Sequence, residues 1–300
     1  MATLAAELKK MHKVDESYAY RYSPLRQYPI LKQQYSGAAE LISPVPMLTH
    51  WRVTVGLYYA LMADKDSPNA LGASFQRVCG EMLRRALPVS SFTISAEAPY
   101  GTKQKPKYTP DWIIEDNDNN VLLLECKAVR ATIQAKGALT DLAALQQNFE
   151  KLSESVVQVY QRITEYKQGL WPQLPYSKDK ILFPLIVTLE DWFLLGPRIT
   201  QLLDDKVRAG LRKECIDPAV INEAPYAVIS INDLERLVQV IAVAGIFEIV
   251  AGKFLDDEKR TWLWHGYLND HAGQIQLRPT LFPDEWEANV STIPLGGVIG

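Results

Sequence analysis

Several common chemistries are missing from this chain. It has three cysteines in 300 residues, Cys79, Cys126 and Cys215. They are scattered and odd in number, so they give neither a disulfide framework nor a zinc-ligand spacing, and such usage fits a reducing cytoplasm. The four histidines are equally dispersed, and His265 and His271 are not read as a metal pair. There is no G-x-x-x-x-G-K-S/T, no G-x-G-x-x-G and no G-x-S-x-G, which leaves kinase, dehydrogenase and esterase readings without a motif. No run of ~18 uncharged apolar residues occurs, so no membrane span is expected. The first residues, MATLAAELKKMHKVDESY, lack the basic-then-apolar order of a signal peptide, and a cytoplasmic location is expected. There is no internal repeat and no low-complexity segment.

The composition is that of an ordinary globular protein, with 47% apolar residues and a net charge of −3. That charge does not announce a nucleic-acid binder, but the average conceals an asymmetry. Residues 1–35 hold six Lys/Arg against three Asp/Glu, interleaved with Tyr18, Tyr20, Tyr22, Tyr28 and Tyr35. A basic, aromatic arm of this kind suits phosphate contact and base stacking; the same tyrosines equally suit packing of the arm onto a domain. Residues 256–300 hold seven acids against three basic residues.

The stretch with the most chemistry is Tyr108 to Ala128, YTPDWIIEDNDNNVLLLECKA. Trp112-Ile113-Ile114 is bulky and β-branched, and Val121 to Leu124 is apolar, so both read as strands. The Asp/Asn run between them has turn chemistry. A hairpin turning at Asp118 places Asp111 opposite Glu125, with Cβ atoms about 4.5–5.5 Å apart. Glu125 and Lys127 then share a face and Cys126 points the other way. Two adjacent carboxylates repel each other unless a cation lies between them, and hard oxygen ligands favour Mg²⁺ or Mn²⁺. An amine beside such a pair suits orientation of water or stabilisation of developing charge.

Pro110-Asp111, thirteen residues, then Glu125-Cys126-Lys127 resembles the motif of the PD-(D/E)xK nuclease superfamily. The resemblance covers about Ala73 to Ile231. It implies an α/β, restriction-endonuclease-like mixed central sheet flanked by helices, here with an N-terminal extension and a C-terminal tail. It also implies metal ligation by Asp111, Glu125 and the backbone carbonyl of Cys126, and water activation assisted by Lys127. The expected cofactor is Mg²⁺ or Mn²⁺ and the expected substrate is DNA. Many relatives carry a further acid on the preceding helix, directly after a phenylalanine. Here that position is Phe75-Gln76. Gln76 lies about 80° from the centre of the helix's apolar stripe and Glu81 about 140° away; these two are the candidates for that role.

Around this stretch the expected organisation is an extension at 1–70, a nuclease-like core at 71–255 and an acidic tail at 256–300 packed on the core. Prolines at 24, 29, 44 and 46 make the extension irregular, apart from a helix over His50 to Met62. The run from Asp64 to Asn69 reads as a loop. Phe75, Val78, Cys79, Met82, Leu83 and Ala86 make Ala73 to Leu87 an amphipathic helix, and Phe92 to Ala96 reads as a strand. Tyr100 to Lys107 reads either as a solvated loop or as a phosphate contact through Lys103, Lys105 and Lys107. A long helix is expected over Ala138 to Gln168; Gln158, Gln161 and Tyr166 resemble a Gln…Tyr pattern of some relatives but with the wrong spacing, and read as ordinary helix residues.

Ile181 to Leu189 reads as a strand buried on both faces, with Pro184 arguing for an edge or a bulge. Ile199 to Leu211 is a helix and Ala227 to Ile231 a strand. Leu234 to Val250 is a helix capped by Asn232 and broken at Gly245. The expected activity is metal-dependent phosphodiester hydrolysis of the restriction, repair or mobile-element type. The alternative is a nuclease-fold binding or assembly module that no longer cuts, motivated by Gln76. One site per chain and two strands to cut make a homodimer an expectation.

Overall fold

The structure is a computed structural model that describes residues 2–4, 25, 28–35, 38–54, 56–62, 64–130, 142–192, 197–256, 258–273 and 275–291. It divides into two compact units, residues 1–73 with 130–152 and residues 74–129 with 153–300. In the first, β1 (Ala2–Leu4), β2 (Ile30–Tyr35) and β3 (Ala38–Ile42) form a small sheet, β1 parallel and β3 antiparallel to β2. The strands replace the expected irregular chain. Lys32, Gln33 and Gln34 are all exposed, as are Ala39 to Ile42, so the alternation that marks a half-buried strand is missing. The helix expected over His50 to Met62 is two short ones, α1 (Pro46–Val53) and α2 (Leu57–Leu61). Tyr18, Tyr20 and Tyr22 lie outside the described residues.

Helix α3 (Ser67–Ala86) starts earlier than expected and absorbs the end of the supposed loop. The Oδ2 of Asp64 accepts from the Ser67 backbone N at 3.2 Å and from its hydroxyl at 2.8 Å, and Pro68 is tolerated because it sits in the first turn. From Ser74 onwards α3 belongs to the second unit. There the strands are β4 (Phe92–Ala96), β5 (Pro99–Thr102), β6 (Lys105–Tyr108), β7 (Trp112–Asp116), β8 (Asn120–Lys127), β9 (Ile181–Thr188) and β10 (Ala227–Ser230). Five of them build a mixed sheet in the order β10-β9-β8-β7-β4, with β8, β9 and β10 parallel and β7 antiparallel to both β8 and β4. β5 and β6 form a separate hairpin where a loop was expected.

Helices flank this mixed sheet. They are α4 (Leu142–Lys167), whose part from Ser153 lies in this unit, α5 (Pro197–Lys213), the short α6 (Val220–Glu223) and α7 (Ile231–Ala244). One face of the sheet carries Trp112, Ile114, Leu122, Leu124, Leu185 and Ile229, in one buried cluster with Cys79 and Leu83 of α3 and Leu237 and Ile241 of α7. Gly80 makes the α3 contact close, since a Cβ there would stand 2.1 Å from the Trp112 ring. The indole N–H of Trp112 donates to the Gln76 carbonyl at 2.9 Å. The other face carries Ile113, Val121, Leu123 and Ile186, also buried.

Pro184 is not on an edge strand, because β9 lies between β8 and β10. However, β10 begins to pair only at Leu185, so at Pro184 the strand still has one open side and its missing N–H need not break a ladder bond. The cap of α7 is Ser230, whose side chain accepts from the Asp233 N–H, and the helix therefore starts before Asn232. Gly245, at φ 88°, ends it as expected. A π-helical turn (Phe247–Ala251), α8 (Gly252–Leu255), α9 (Trp264–Ala272) and α10 (Pro283–Ser291) follow. Trp264, Tyr267, Leu268 and Leu281 are buried in the same cluster as α3 and α7. No single described helix is long and apolar enough to cross a membrane.

Candidate active site

The site is built on the β7–β8 hairpin. At its turn the Asp116 carboxylate accepts from the backbone N–H groups of Asp118 and Asn120, both at 2.9 Å, and Asn119 takes a left-handed φ of 64°. An Asx turn and a residue tolerant of that conformation fix the loop. The turn sets the register, Trp112 to Leu124 and Glu115 to Val121. The same count, one step further, puts Asp111 level with Glu125. The Asp111 side chain reaches across, its Oδ2 accepting from the Cys126 N–H at 2.6 Å. An extended residue directs its N–H and C=O to the same edge, so the Cys126 carbonyl also faces the Asp111 side. The Cys126 thiol lies on the opposite face, where a hydrogen bond with Cys79 and burial push its pKa up.

Glu125 is 2% exposed, and a buried carboxylate is stabilised by cations beside it. It has two. Its Oε1 is 2.9 Å from the Lys127 Nζ, and its Oε2 pairs with Arg162 of α4. Lys127 also donates to the Gln158 side chain at 3.3 Å. Gln158 and Arg162 are four apart on α4 and so share a face.

A third carboxylate joins the pair. The Glu97 N–H donates to the Asp111 carbonyl at 2.9 Å, and β4 pairs with β7 so that Ala96 opposes Trp112. Glu97, Asp111 and Glu125 therefore lie level on three adjacent strands and on one face. Burial raises the Glu97 pKa, countered by Arg162 and reinforced by Glu125. Asp111 is pushed up to about 7, first by burial and then by Glu125; the Cys126 N–H opposes the rise, Glu97 adds to it, and Lys127 offsets part. A carboxylate in this state signals negative charge that its neighbours do not fully balance.

The cluster adjoins a groove of about 570 Å³ lined by Glu97, Tyr100, Lys107, Arg162 and Glu165 among others. Lys103, Lys105 and Lys107 stand exposed on the β5–β6 hairpin at its side. Lys107 pairs with Glu165, which also accepts from the Tyr100 hydroxyl.

The structure thus brings Asp111, Glu125, Cys126 and Lys127 together. It does not bring in Glu81, which pairs with Arg84 at 2.9 Å on α3, or Gln76, whose helix packs on the other face of the sheet. The sequence does not single out Glu97 and Arg162 for the site, and Gln158, which reads there as an ordinary helix residue, bonds Lys127. Glu97 is separated from β7 by the β5–β6 hairpin, which hides the strand pairing. For Gln158 and Arg162 the available signal was a pair of polar residues at spacing four on a helix otherwise reading as core.

No protein-family model matches the chain, and no curated protein does. Among solved structures, the small subunit of the heterodimeric restriction endonuclease R.BspD6I aligns with 74% of this chain and 98% of its own, at 12% identity and a TM-score of 0.33.

Among the described residues no three His, Cys, Asp or Glu side chains form a ready-made cation cage. Mg²⁺ does not require one, since it is held by one or two carboxylates with water and substrate phosphate completing its shell. The donors here are hard oxygens and Lys127 balances Asp111 only in part, so the residues fit a divalent cation, provided that Arg162 yields one oxygen of Glu125.

Proposed function

We propose that this chain is a divalent-metal-dependent nuclease that hydrolyses phosphodiester bonds, with DNA as its substrate. The observation that carries the reading is the meeting of Asp111 and Glu125 across one hairpin, with Lys127 on the same face and Asp111 titrating near 7. Asp111, Glu125 and the Cys126 carbonyl would hold Mg²⁺ or Mn²⁺, with Glu97 at the margin. Such an ion supplies Lewis acidity and a more acidic bound water. Lys127, steered by Gln158, would orient the attacking water and meet charge developing on the phosphate. Lys103 and Lys105 are offered as contacts to the strand's phosphates. Cleavage of both strands with one site per chain calls for two copies, and a homodimer in the cytoplasm is part of the proposal. Calorimetric titration with Mn²⁺ tests the reading: wild type binds and Asp111→Asn binds at least tenfold more weakly. Equal binding by both would remove Asp111 from the site.

The pairing of Arg162 with Glu125 favours a second reading, a nuclease-fold binding module in which the guanidinium takes the place of the metal. The same titration separates the two. The module predicts no Mn²⁺ binding by wild type and a new site in Arg162→Gln.

A further inference from the structure

A second cavity, of about 260 Å³, lies at the same end of the sheet. Lys127 pairs in register with Thr188, and Thr188 with Ser230. The carboxyl end of β10 is thus two strands from the catalytic lysine, about 10 Å at the usual strand spacing. The cavity opens where β9 runs on into Asp191 and Trp192 and β10 into the first turn of α7. Crevices outside the carboxyl ends of parallel strands are where α/β sheets hold ligands.

Its walls are aromatic: Trp192, Tyr226, Phe254, Trp262 and Trp264. Lys253, also in the lining, belongs to the wall. Its Nζ donates to the carbonyls of Lys259 and Trp262, both at 2.8 Å, and lies over the Trp264 and Tyr267 rings. Burial lowers its pKa to about 8.

Besides the exposed Arg260, which also lines the cavity, two buried polar groups are available to a ligand. The Nε1 of Trp192 is buried and donates to nothing among the described residues, a state that native structures seldom leave unfilled. Asp233 is 6% exposed and also lines the cavity. The Ser230 hydroxyl bonds its Oδ2 at 2.9 Å, while Oδ1 is 3.8 Å from the His265 ring and has no hydrogen bond there. The cavity therefore offers aromatic walls, one buried donor and one buried acceptor, with Arg260 also in its lining. Its volume is below the ~300 Å³ at which drug-sized pockets begin.

We propose that this cavity is a nucleobase pocket. A base stacks between the indoles, accepts from Trp192 and donates to Asp233, the mode by which proteins hold a base taken out of its stack. The ring chemistry stands without the nuclease reading. The further step, that the base belongs to a strand lying across Lys127, rests on it.

The test is binding, not cleavage, measured on the full wild-type chain in EDTA. Adenosine, guanosine, cytidine and thymidine are titrated by saturation-transfer NMR. A single-stranded 12-mer containing 2-aminopurine is titrated by fluorescence. The expected result is saturable binding of at least one nucleoside, weakened at least tenfold by Trp192→Phe, which keeps an aromatic six-membered ring and removes the donor. Asp233→Asn should change which nucleoside binds best. A saturable change in 2-aminopurine emission on binding, lost in Trp192→Phe, assigns the pocket to a base of a strand. Nucleoside binding without that change assigns it to the free nucleoside. No saturable binding of either probe, or binding indifferent to Trp192→Phe in a variant of unchanged melting temperature, would overturn the proposal. Because the binding is read without metal, loss of the nuclease reading would leave these results standing.

Discussion

Asp111 titrates far above an ordinary carboxylate because it is buried and because Glu125 and Glu97 stand beside it. The sign of its effect on stability follows. A carboxylate whose pKa rises on folding binds more protons in the native state than in the unfolded one. Its stabilising effect is present below about pH 4 and is lost as pH climbs to about 7, at on the order of 1 kcal/mol per pH unit. Asp111→Asn keeps an acceptor for the Cys126 N–H and removes the titration. In metal-free protein the variant should match wild type in stability near pH 4, gain on it steadily towards pH 7, and hold a constant advantage above that. Chemical denaturation across that range checks this, and a difference independent of pH would contradict it.

Arg162 and Lys127 divide the compensation of Glu125 between them. Removing the guanidinium leaves a 3%-exposed carboxylate side chain with one partner. Arg162→Met should therefore cost about 3 kcal/mol. Lys127→Ala, on a side chain 27% exposed, should cost about 1–2 kcal/mol, because Arg162 remains. From the sequence Lys127 reads as an exposed charge whose loss stays within about 1 kcal/mol; its contact with a buried carboxylate raises that figure. Urea melts of the two variants give the order, and a larger loss for Lys127→Ala would contradict it.

At the scale of elements, the legible parts are those in which one local rule suffices. The Asp/Asn turn has its own hydrogen-bonding groups, so the β7–β8 register could be counted from residue numbers, and Asp111 and Glu125 with it. The apolar stripe of α3 and the punctuating Gly245 were equally local. The illegible parts depend on partners distant in sequence. Glu97 joins the carboxylates only because β7, after the β5–β6 hairpin, pairs with β4. Pro184 argued for an edge, and the late start of β10 removes the conflict. β2 and β3 carry no burial alternation and so gave no signal. Gly80 has a purpose visible only in three dimensions, which is to let α3 approach the Trp112 ring. Gly80→Ala should gain helix propensity yet lose about 1–3 kcal/mol net through overpacking. A melting temperature unchanged or raised would show that the ring can move aside.

For the molecule as a whole, a net charge of −3 means that any grip on DNA comes from local arrangement and not from overall attraction. The lysines of the β5–β6 hairpin stand exposed beside the groove, and the proposed function gives them the strand's phosphates. Lys103→Ala with Lys105→Ala should weaken DNA binding and reduce its salt dependence by about two counterions, read from the slope of log affinity against log salt. An unchanged slope would take the hairpin off the DNA path.

The central claim is that these carboxylates and Lys127 cut phosphodiesters with a metal. The most direct measurement is cleavage of supercoiled plasmid and single-stranded DNA with Mg²⁺, Mn²⁺ or EDTA, by wild type and by Lys127→Ala checked to be folded. The account predicts cutting with metal, none with EDTA, and a loss of at least a hundredfold in the variant. Cutting that survives EDTA, or survives Lys127→Ala undiminished, would contradict it.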